Sequence, residues 1–212
     1  MTGAASARTR VPQSQRSVSV YDGSAERMAD LYELTSFDQV HVDILDLLPE
    51  PGTAVLDIGA GSGRDAAALA DRGYLVTAVE PSAGLRREAA VRHPTASVQW
   101  IDDALPKLSR LPGRAFAFIL VSAVWMHLAP RDRTPAIRRL TQLLDPGRHL
   151  AISIRIGPAD PARSIRQVDI QALEADARAA GLKPVRSLES GDALGRATVR
   201  WRTLVFRAPG QA

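Results

Sequence analysis

Residues 55–65 read VLDIGAGSGRD. A short apolar run carrying one acid, Asp57, gives way to Gly59, Gly61 and Gly63, alternating with small residues. An apolar run of this length that ends in glycine reads as a buried strand. The glycines supply a turn that visits positive φ and lets a ligand approach the main chain. Residues 64–72 then show helical spacing and close at Gly73, so the unpaired N–H groups of a helix start face whatever the turn holds.

The same alternation extends in both directions. Before the turn, residues 24–48 carry apolar side chains at helical spacing (Met28, Leu31, Tyr32, Leu34, Val40, Ile44, Leu45, Leu48), ended by Pro49, Pro51 and Gly52. After it come a strand YLVTAVE, a helix over 82–92, a strand SVQWID and a wholly apolar strand FAFILVSA. A helix over 131–144 stops at DPG, a strand RHLAISI follows, and a helix over 168–180 is closed by Gly181. KPVRSLES and TVRWRTLVFR complete the set of seven strands. This pattern predicts an α/β fold with a doubly wound, mostly parallel sheet and helices on both faces. The last two strands have no helix between them and predict an antiparallel edge. Ligands in such sheets bind beyond the carboxyl ends of the strands, where the glycine turn lies.

Composition narrows the field. The 212 residues fit one domain, with 45% hydrophobic and 24% charged residues, as in an ordinary globular protein. Without cysteine there are no disulfides, thiolate metal sites or cysteine nucleophiles. The longest apolar stretches are too short to cross a bilayer, and the N-terminus lacks the apolar segment of a secretory signal, so a cytoplasmic location and no membrane partner are expected. The net charge is +4, and only Lys107 and Lys183 are lysine among 27 basic residues. The arginines are scattered among acids, so a nucleic-acid partner is an alternative and not the favoured reading. Residues 1–18, MTGAASARTRVPQSQRSV, are small, polar and free of acids, and read as a flexible tail ahead of a domain over 19–212.

The turn constrains its ligand. The G-x-x-x-x-G-K-[ST] phosphate loop is absent, so no ATP or GTP site is expected. The third glycine arrives one residue early for a G-x-G-x-x-G dinucleotide turn. Asp57 would repel a pyrophosphate and suits a cationic ligand. Glu80, closing the second strand, suits the two hydroxyls of a ribose. The expected ligand carries a ribose and positive charge, with no phosphate at the turn.

These residues carry a family resemblance. VLDIGAGSGRDAAALADRGYLVTAVEPS resembles the first two motifs of the class I S-adenosylmethionine-dependent methyltransferases, and WIDDALPKL, FAFILVSAVWMHL and LLDPGRHLAISI are similar to later motifs in the same order. The resemblance runs over roughly residues 20 to 207 and implies a Rossmann-like fold with S-adenosyl-L-methionine as cofactor and S-adenosyl-L-homocysteine as product. It implies that Asp57, Gly59, Ala60, Gly61 and Gly63 wrap the methionine end and that Glu80 takes the ribose. Pro81, Ser82 and Leu85 then border the adenine, and Asp103 with Ala104, or Asp102, reads its amine. Val121 and Ser122 would touch the methionine moiety, and Tyr21 matches a segment that covers the cofactor. Two places depart from the pattern: Phe116-Ala117 stands where an acid usually follows the aromatic, and Pro146-Gly147-Arg148 replaces a PGG turn.

The expected reaction is methyl transfer to an oxygen or nitrogen of a small-molecule acceptor, because the chain has little room for a further recognition domain. His127, in VWMHL, is the candidate general base, with packing against Trp125 as the bland alternative. Trp125 and Met126 are candidates for an acceptor wall, and Arg155, Arg163 and Trp201 for acceptor contacts. Asp192 and Arg196 carry weaker signals of the same kind. His41 and His93 read as surface or packing residues, and His149 as remote. No cluster suggests a metal, so none is expected. Methylation of RNA, DNA or protein, a NAD-dependent oxidoreductase and a non-catalytic cofactor-binding partner are the alternatives. The oligomeric state is not encoded in any of these features.

Overall fold

The computed structural model describes residues 13–111, 113 and 115–210. Seven strands form one sheet: β1 (Ala54–Ile58), β2 (Leu75–Val79), β3 (Val98–Ile101), β4 (Phe116–Ser122), β5 (Leu144–Ile156), β6 (Lys183–Gly191) and β7 (Arg200–Arg207). Their spatial order is β3-β2-β1-β4-β5-β7-β6. β1, β2, β3, β4 and β5 pair in parallel, and β7 runs antiparallel to both β5 and β6. The antiparallel edge is therefore the β6–β7 hairpin, with β7 inserted inside β6. The edge strand β6 carries Pro184, where the register slips, as a strand with one open side permits.

Among the described residues seven α-helices accompany the sheet: α1 (Gln13–Asp22), α2 (Ala25–Tyr32), α3 (Phe37–His41), α4 (Arg64–Asp71), α5 (Ala83–Arg92), α6 (Pro130–Leu143) and α7 (Ile170–Ala179). Side-chain alternation along the strands builds two cores. Leu56 and Ile58 of β1 join Ile119 and Val121 of β4 under α6 and α7. Val55 joins Phe118 and Leu120 on the opposite face, under Phe37 of α3 and Leu69 of α4. Phe116, Phe118 and Ile119 are each at most 2% exposed, and full burial of such a side chain is worth about 1.5–3 kcal/mol.

Two expectations change in detail. The helical pattern over 24–48 is split: α2 ends at Tyr32, and α3 runs on into a 3₁₀ turn over Val42–Leu47. The break is written locally, because Ser36 and Gln39 form a capping box that restarts the helix. At the N-terminus, residues 1–12 of the expected tail lie outside the described residues, and from Gln13 the chain is helical.

The first two helices fold back over the sheet and are latched to α5. The Asp22 carboxylate accepts hydrogen bonds from the Ser82 hydroxyl (2.6 Å) and the Gly84 amide (2.8 Å). Arg92 pairs with Asp30 at 2.7 Å. A Cβ on Gly84 would stand 2.9 Å from that of Ala25, so the close approach of α2 requires glycine there. This docking brings Tyr21 and Tyr32 over the carboxyl ends of β1, β2 and β4, beside the switch point where the strand order reverses.

Candidate active site

The glycine turn leaves β1 with Gly59 at φ +70°, Gly61 at +57° and Gly63 at +86°. The amides of Gly59 and Ala60 both donate to the Val79 carbonyl, at 2.7 and 3.1 Å, which folds the turn onto β2. A Cβ at Gly59 would stand 2.4 Å from Cγ2 of Val124, and one at Gly61 would be 3.4 Å from the Tyr32 ring. At Gly63 the close neighbours are Ala89 and Trp100, so this glycine serves helix packing rather than the ligand.

Glu80 lies against this turn. Its Oε2 accepts the Gly61 amide at 3.0 Å and its Oε1 the Ser82 amide at 2.8 Å. The side chain is buried, and burial pushes its carboxyl above the usual range, partly offset by those two amides. A carboxylate has about four lone-pair positions, so two remain for hydroxyl donors. The cleft, about 1100 Å³ including its open mouth, is lined by Tyr21, Tyr32, Gly59, Ala60, Gly61, Glu80, Pro81, Leu85, Asp103, Ala104, Ser122 and His127. Most of the residues expected at a cofactor site are thus gathered in one place.

Several expected residues are elsewhere. Asp57 is 1% exposed and does not line the cleft. Odd positions of β1 face α4, so its carboxyl is aimed beneath the turn, and its Oδ2 has no hydrogen-bond partner. Burial, reinforced by the neighbouring charge of Asp65 and only partly opposed by Arg64, pushes it well above the usual carboxylate range. Ser82 is fully buried as the cap of α5, its hydroxyl accepting the Leu85 amide. Asp102 is exposed and paired with Arg86 at 3.2 Å; Asp103 is the acid that faces the cleft. The Asp103 carboxylate also accepts the amides of Ala104 and Arg110. Val121 is core, as are Trp125 (0% exposed) and Met126 (2%), so neither of the latter walls an acceptor site.

His127 ends a 3₁₀ turn over Trp125–His127. Its Nε2 lies 3.2 Å from the Tyr21 hydroxyl, the two rings standing edge-on at 5.5 Å. Burial lowers its pKa to about 4, against a smaller opposite effect of the Ser164 and Arg163 backbone, so it is uncharged at neutral pH. It lines the cleft but not the cavity described next.

A second cavity, about 1220 Å³ with its mouth, opens beside the first, and Tyr21, Tyr32, Arg64, Ser122 and Ala123 line both. Arg155, Arg163 and Trp201 line it, as expected, together with Asp192 and Arg196. Sequence reasoning missed Tyr32, Arg64 and Ala123. Tyr32 sits at a helical core position, so its spacing disguises its role. Arg64 is oriented by Asp65 (2.8 Å), the Tyr32 carbonyl and Thr35, contacts no motif announces. Ala123 has φ +56°, uncommon without glycine, and its amide donates to Ser153 Oγ at 3.1 Å. His41 is buried rather than superficial, and bonds Asp65 at 2.8 Å. His93 meets Glu33 at 3.1 Å. Among the described residues no helix is long and apolar enough to cross a membrane, and no three His, Asp or Glu gather as a metal site.

Comparison with known proteins agrees with this geometry. The family profile described as a methyltransferase domain matches residues 55–147. An uncharacterized methyltransferase of Geobacillus kaustophilus is 30% identical over 163 residues, 76% of this chain and 70% of its own length. One from Mycobacterium tuberculosis is 34% identical over 122 residues, 57% of this chain, and the match spans only 60% of that relative's length. Among solved structures, a Burkholderia thailandensis 1,6-didemethyltoxoflavin-N1-methyltransferase superposes with a TM-score of 0.70 at 23% identity, covering 97% of this chain and 93% of that one. A [4+2]-cyclase, SpnF, gives 0.74 at 16% identity, covering 95% and 98%. The chain belongs to the class I S-adenosylmethionine-dependent methyltransferases, and its sheet is the Rossmann-like sheet of that class.

Proposed function

We propose that the chain transfers a methyl group from S-adenosylmethionine to a nitrogen or oxygen of a small-molecule acceptor. The observation that carries this reading is the wall shared by the two cavities, in which Tyr21, Tyr32, Ser122 and Ala123 face both. The residues of the first cleft fit the cofactor. Gly59 and Gly61 leave room where a Cβ would intrude, and Glu80 retains acceptor positions for ribose hydroxyls. Asp103 and Leu85 border the adenine position. Glu80 would suit the ribose of either nucleotide; the third glycine, one residue early for a dinucleotide turn, counts against the NAD reading.

When bound, S-adenosylmethionine supplies an activated methyl group, transferred in line as the acceptor lone pair forms the new bond and one carbon–sulfur bond breaks. The chain's own task is to align the acceptor and exclude water. Tyr21 and Tyr32 form the cover that does the second. His127 bonds Tyr21 through its Nε2 and lines the first cleft and not the second cavity, so on this reading it positions the cover and is not the main proton acceptor. A neutral amine needs no base before attack and passes its proton to solvent after it has gained the methyl group; a hydroxyl arriving ionised has already lost its proton and releases none.

The small-molecule reading is supported by the second cavity beside the cleft, and the B. thailandensis structure, a 1,6-didemethyltoxoflavin-N1-methyltransferase with 1,6-didemethyltoxoflavin bound, is in keeping with it. The neighbouring [4+2]-cyclase is a reminder that the fold alone does not fix the reaction. The test is release of S-adenosylhomocysteine with acceptors grouped by chemical class. Tight, strongly salt-dependent binding of RNA or DNA, with turnover on it, would favour the macromolecular alternative instead.

A further inference from the structure

We infer that the acceptor carries a single carboxylate, anchored by Arg155, on an aromatic or apolar body whose methyl-receiving atom lies toward the shared wall. This rests on the function proposed above and names its substrate class. Four arginines line the second cavity: Arg64, Arg155, Arg163 and Arg196. Three are matched to carboxylates: Arg64 to Asp65 at 2.8 Å, Arg163 to Asp160 at 2.8 Å and Arg196 to Asp192 at 2.6 Å. Asp192 is itself spent, since it also accepts the Trp201 indole N–H at 2.9 Å. Arg155 has no acidic partner among the described residues. Its hydrogen bond goes to the Pro158 carbonyl at 2.7 Å, and its buried Nε–H has no acceptor. The cavity is thus left with one uncompensated positive charge.

One surplus charge matches a carboxylate, a monoanion. A phosphate monoester is closer to a dianion at neutral pH and would demand more. Burial, with Arg196 and Arg163 nearby and only partly opposed by Asp160 and Asp192, lowers the Arg155 pKa, in the direction an anion placed there would offset. The guanidinium fork suits a carboxylate in two parallel hydrogen bonds. The opposing walls supply the body's contacts, with Tyr21, Tyr32 and Trp201 as flat faces and Met28 and Leu31 as apolar ones.

Position along β5 separates anchor from reaction. Ser153 bonds Ala123 in the shared wall, and Arg155 is the next residue on the same strand face, about 7 Å further on. Arg155 lines only the second cavity. The carboxylate is therefore a handle, and an amine or hydroxyl elsewhere on the molecule takes the methyl group.

The test uses the full chain loaded with S-adenosylhomocysteine. Binding of salicylate, anthranilate and indole acetate is compared with that of their carboxamides and of phenyl phosphate, by tryptophan fluorescence and ligand-observed NMR. At least one acid is expected to bind roughly ten- to a hundredfold more tightly than its amide and than the phosphate, a factor typical of one charged hydrogen-bonded contact. Arg155→Gln is expected to erase that preference, and Arg155→Lys to keep part of it, with S-adenosylhomocysteine affinity unchanged in both. Acids binding no better than amides in the wild type, or a preference that survives in Arg155→Gln, overturns the inference; stronger binding of phenyl phosphate overturns the carboxylate assignment. If the wild type does not bind S-adenosylhomocysteine, it is the proposed function that falls, a result read before any acid is added.

Discussion

The Tyr21 hydroxyl meets His127 Nε2 at 3.2 Å across 106 residues of chain, tying the N-terminal cover to the turn that follows β4. The imidazole in this contact is half-buried and neutral, so the cover is closed by an uncharged hydrogen bond. Acidification attacks that bond directly. In the folded protein the His127 pKa lies at about 4, below the ordinary value of 6.5. The unfolded chain therefore binds the proton first.

Stability should accordingly fall as pH drops from about 6.5 toward about 4, by up to about 3 kcal/mol from this group, and level off below. His127→Gln keeps a hydrogen-bonding side chain without the titration. Chemical unfolding measured across this range should show a flatter profile for the variant. Equal slopes in the two proteins would remove His127 as the source.

The latch at the other end of the cover rests on Asp22. Replacing it by Ala deletes acceptors for Ser82 and Gly84 and should cost about 1 kcal/mol at this exposed site. The expected signature is local: faster hydrogen exchange in α1 and α2, with the sheet unaffected, and several-fold weaker binding of S-adenosylhomocysteine. Uniformly faster exchange would mean global loss of stability instead.

Gly59→Ala combines a φ of +70° with a 2.4 Å contact to Val124. It should cost roughly 1–3 kcal/mol of stability and close the cleft to the cofactor. Adding Val124→Ala removes the contact but leaves the backbone strain. The double variant should recover part of the stability, and full recovery would show that φ contributes nothing.

Asp57 and Glu80 should separate cleanly. Asp57→Asn replaces a buried carboxyl that resists ionisation, so it should stabilise the fold near neutral pH. That gain should vanish at low pH, where the native acid is already neutral. Its effect on cofactor affinity should be small. Glu80→Ala should weaken binding by about 1–3 kcal/mol, the scale of a lost charged hydrogen bond.

Much of this site was legible in the chain. The places of the glycine turn, Glu80, Asp103 and Arg155 were readable because each lies at or near a strand's carboxyl end, and strand boundaries are written in apolar runs and glycine. The burial of Asp57 was not legible, because a two-residue period says that neighbouring side chains oppose each other, not which of them faces the cleft. Trp125 and Met126 follow β4 at the reacting end, yet the 3₁₀ turn rotates them into the core. Tyr32 and Arg64 are set by the docking of α2 across the turn, a long-range contact with no local signature. The charge balance around Arg155 is of the same kind, since it counts partners that only the fold brings together.

The central claim is that the cleft over Glu80 holds S-adenosylmethionine, and calorimetry with S-adenosylhomocysteine and with NAD on wild type and Glu80→Ala tests it most directly. The wild type should bind S-adenosylhomocysteine, Glu80→Ala should bind it roughly ten- to a hundredfold more weakly, and neither should bind NAD. Binding of NAD alone, or unchanged affinity for S-adenosylhomocysteine in Glu80→Ala, would contradict it.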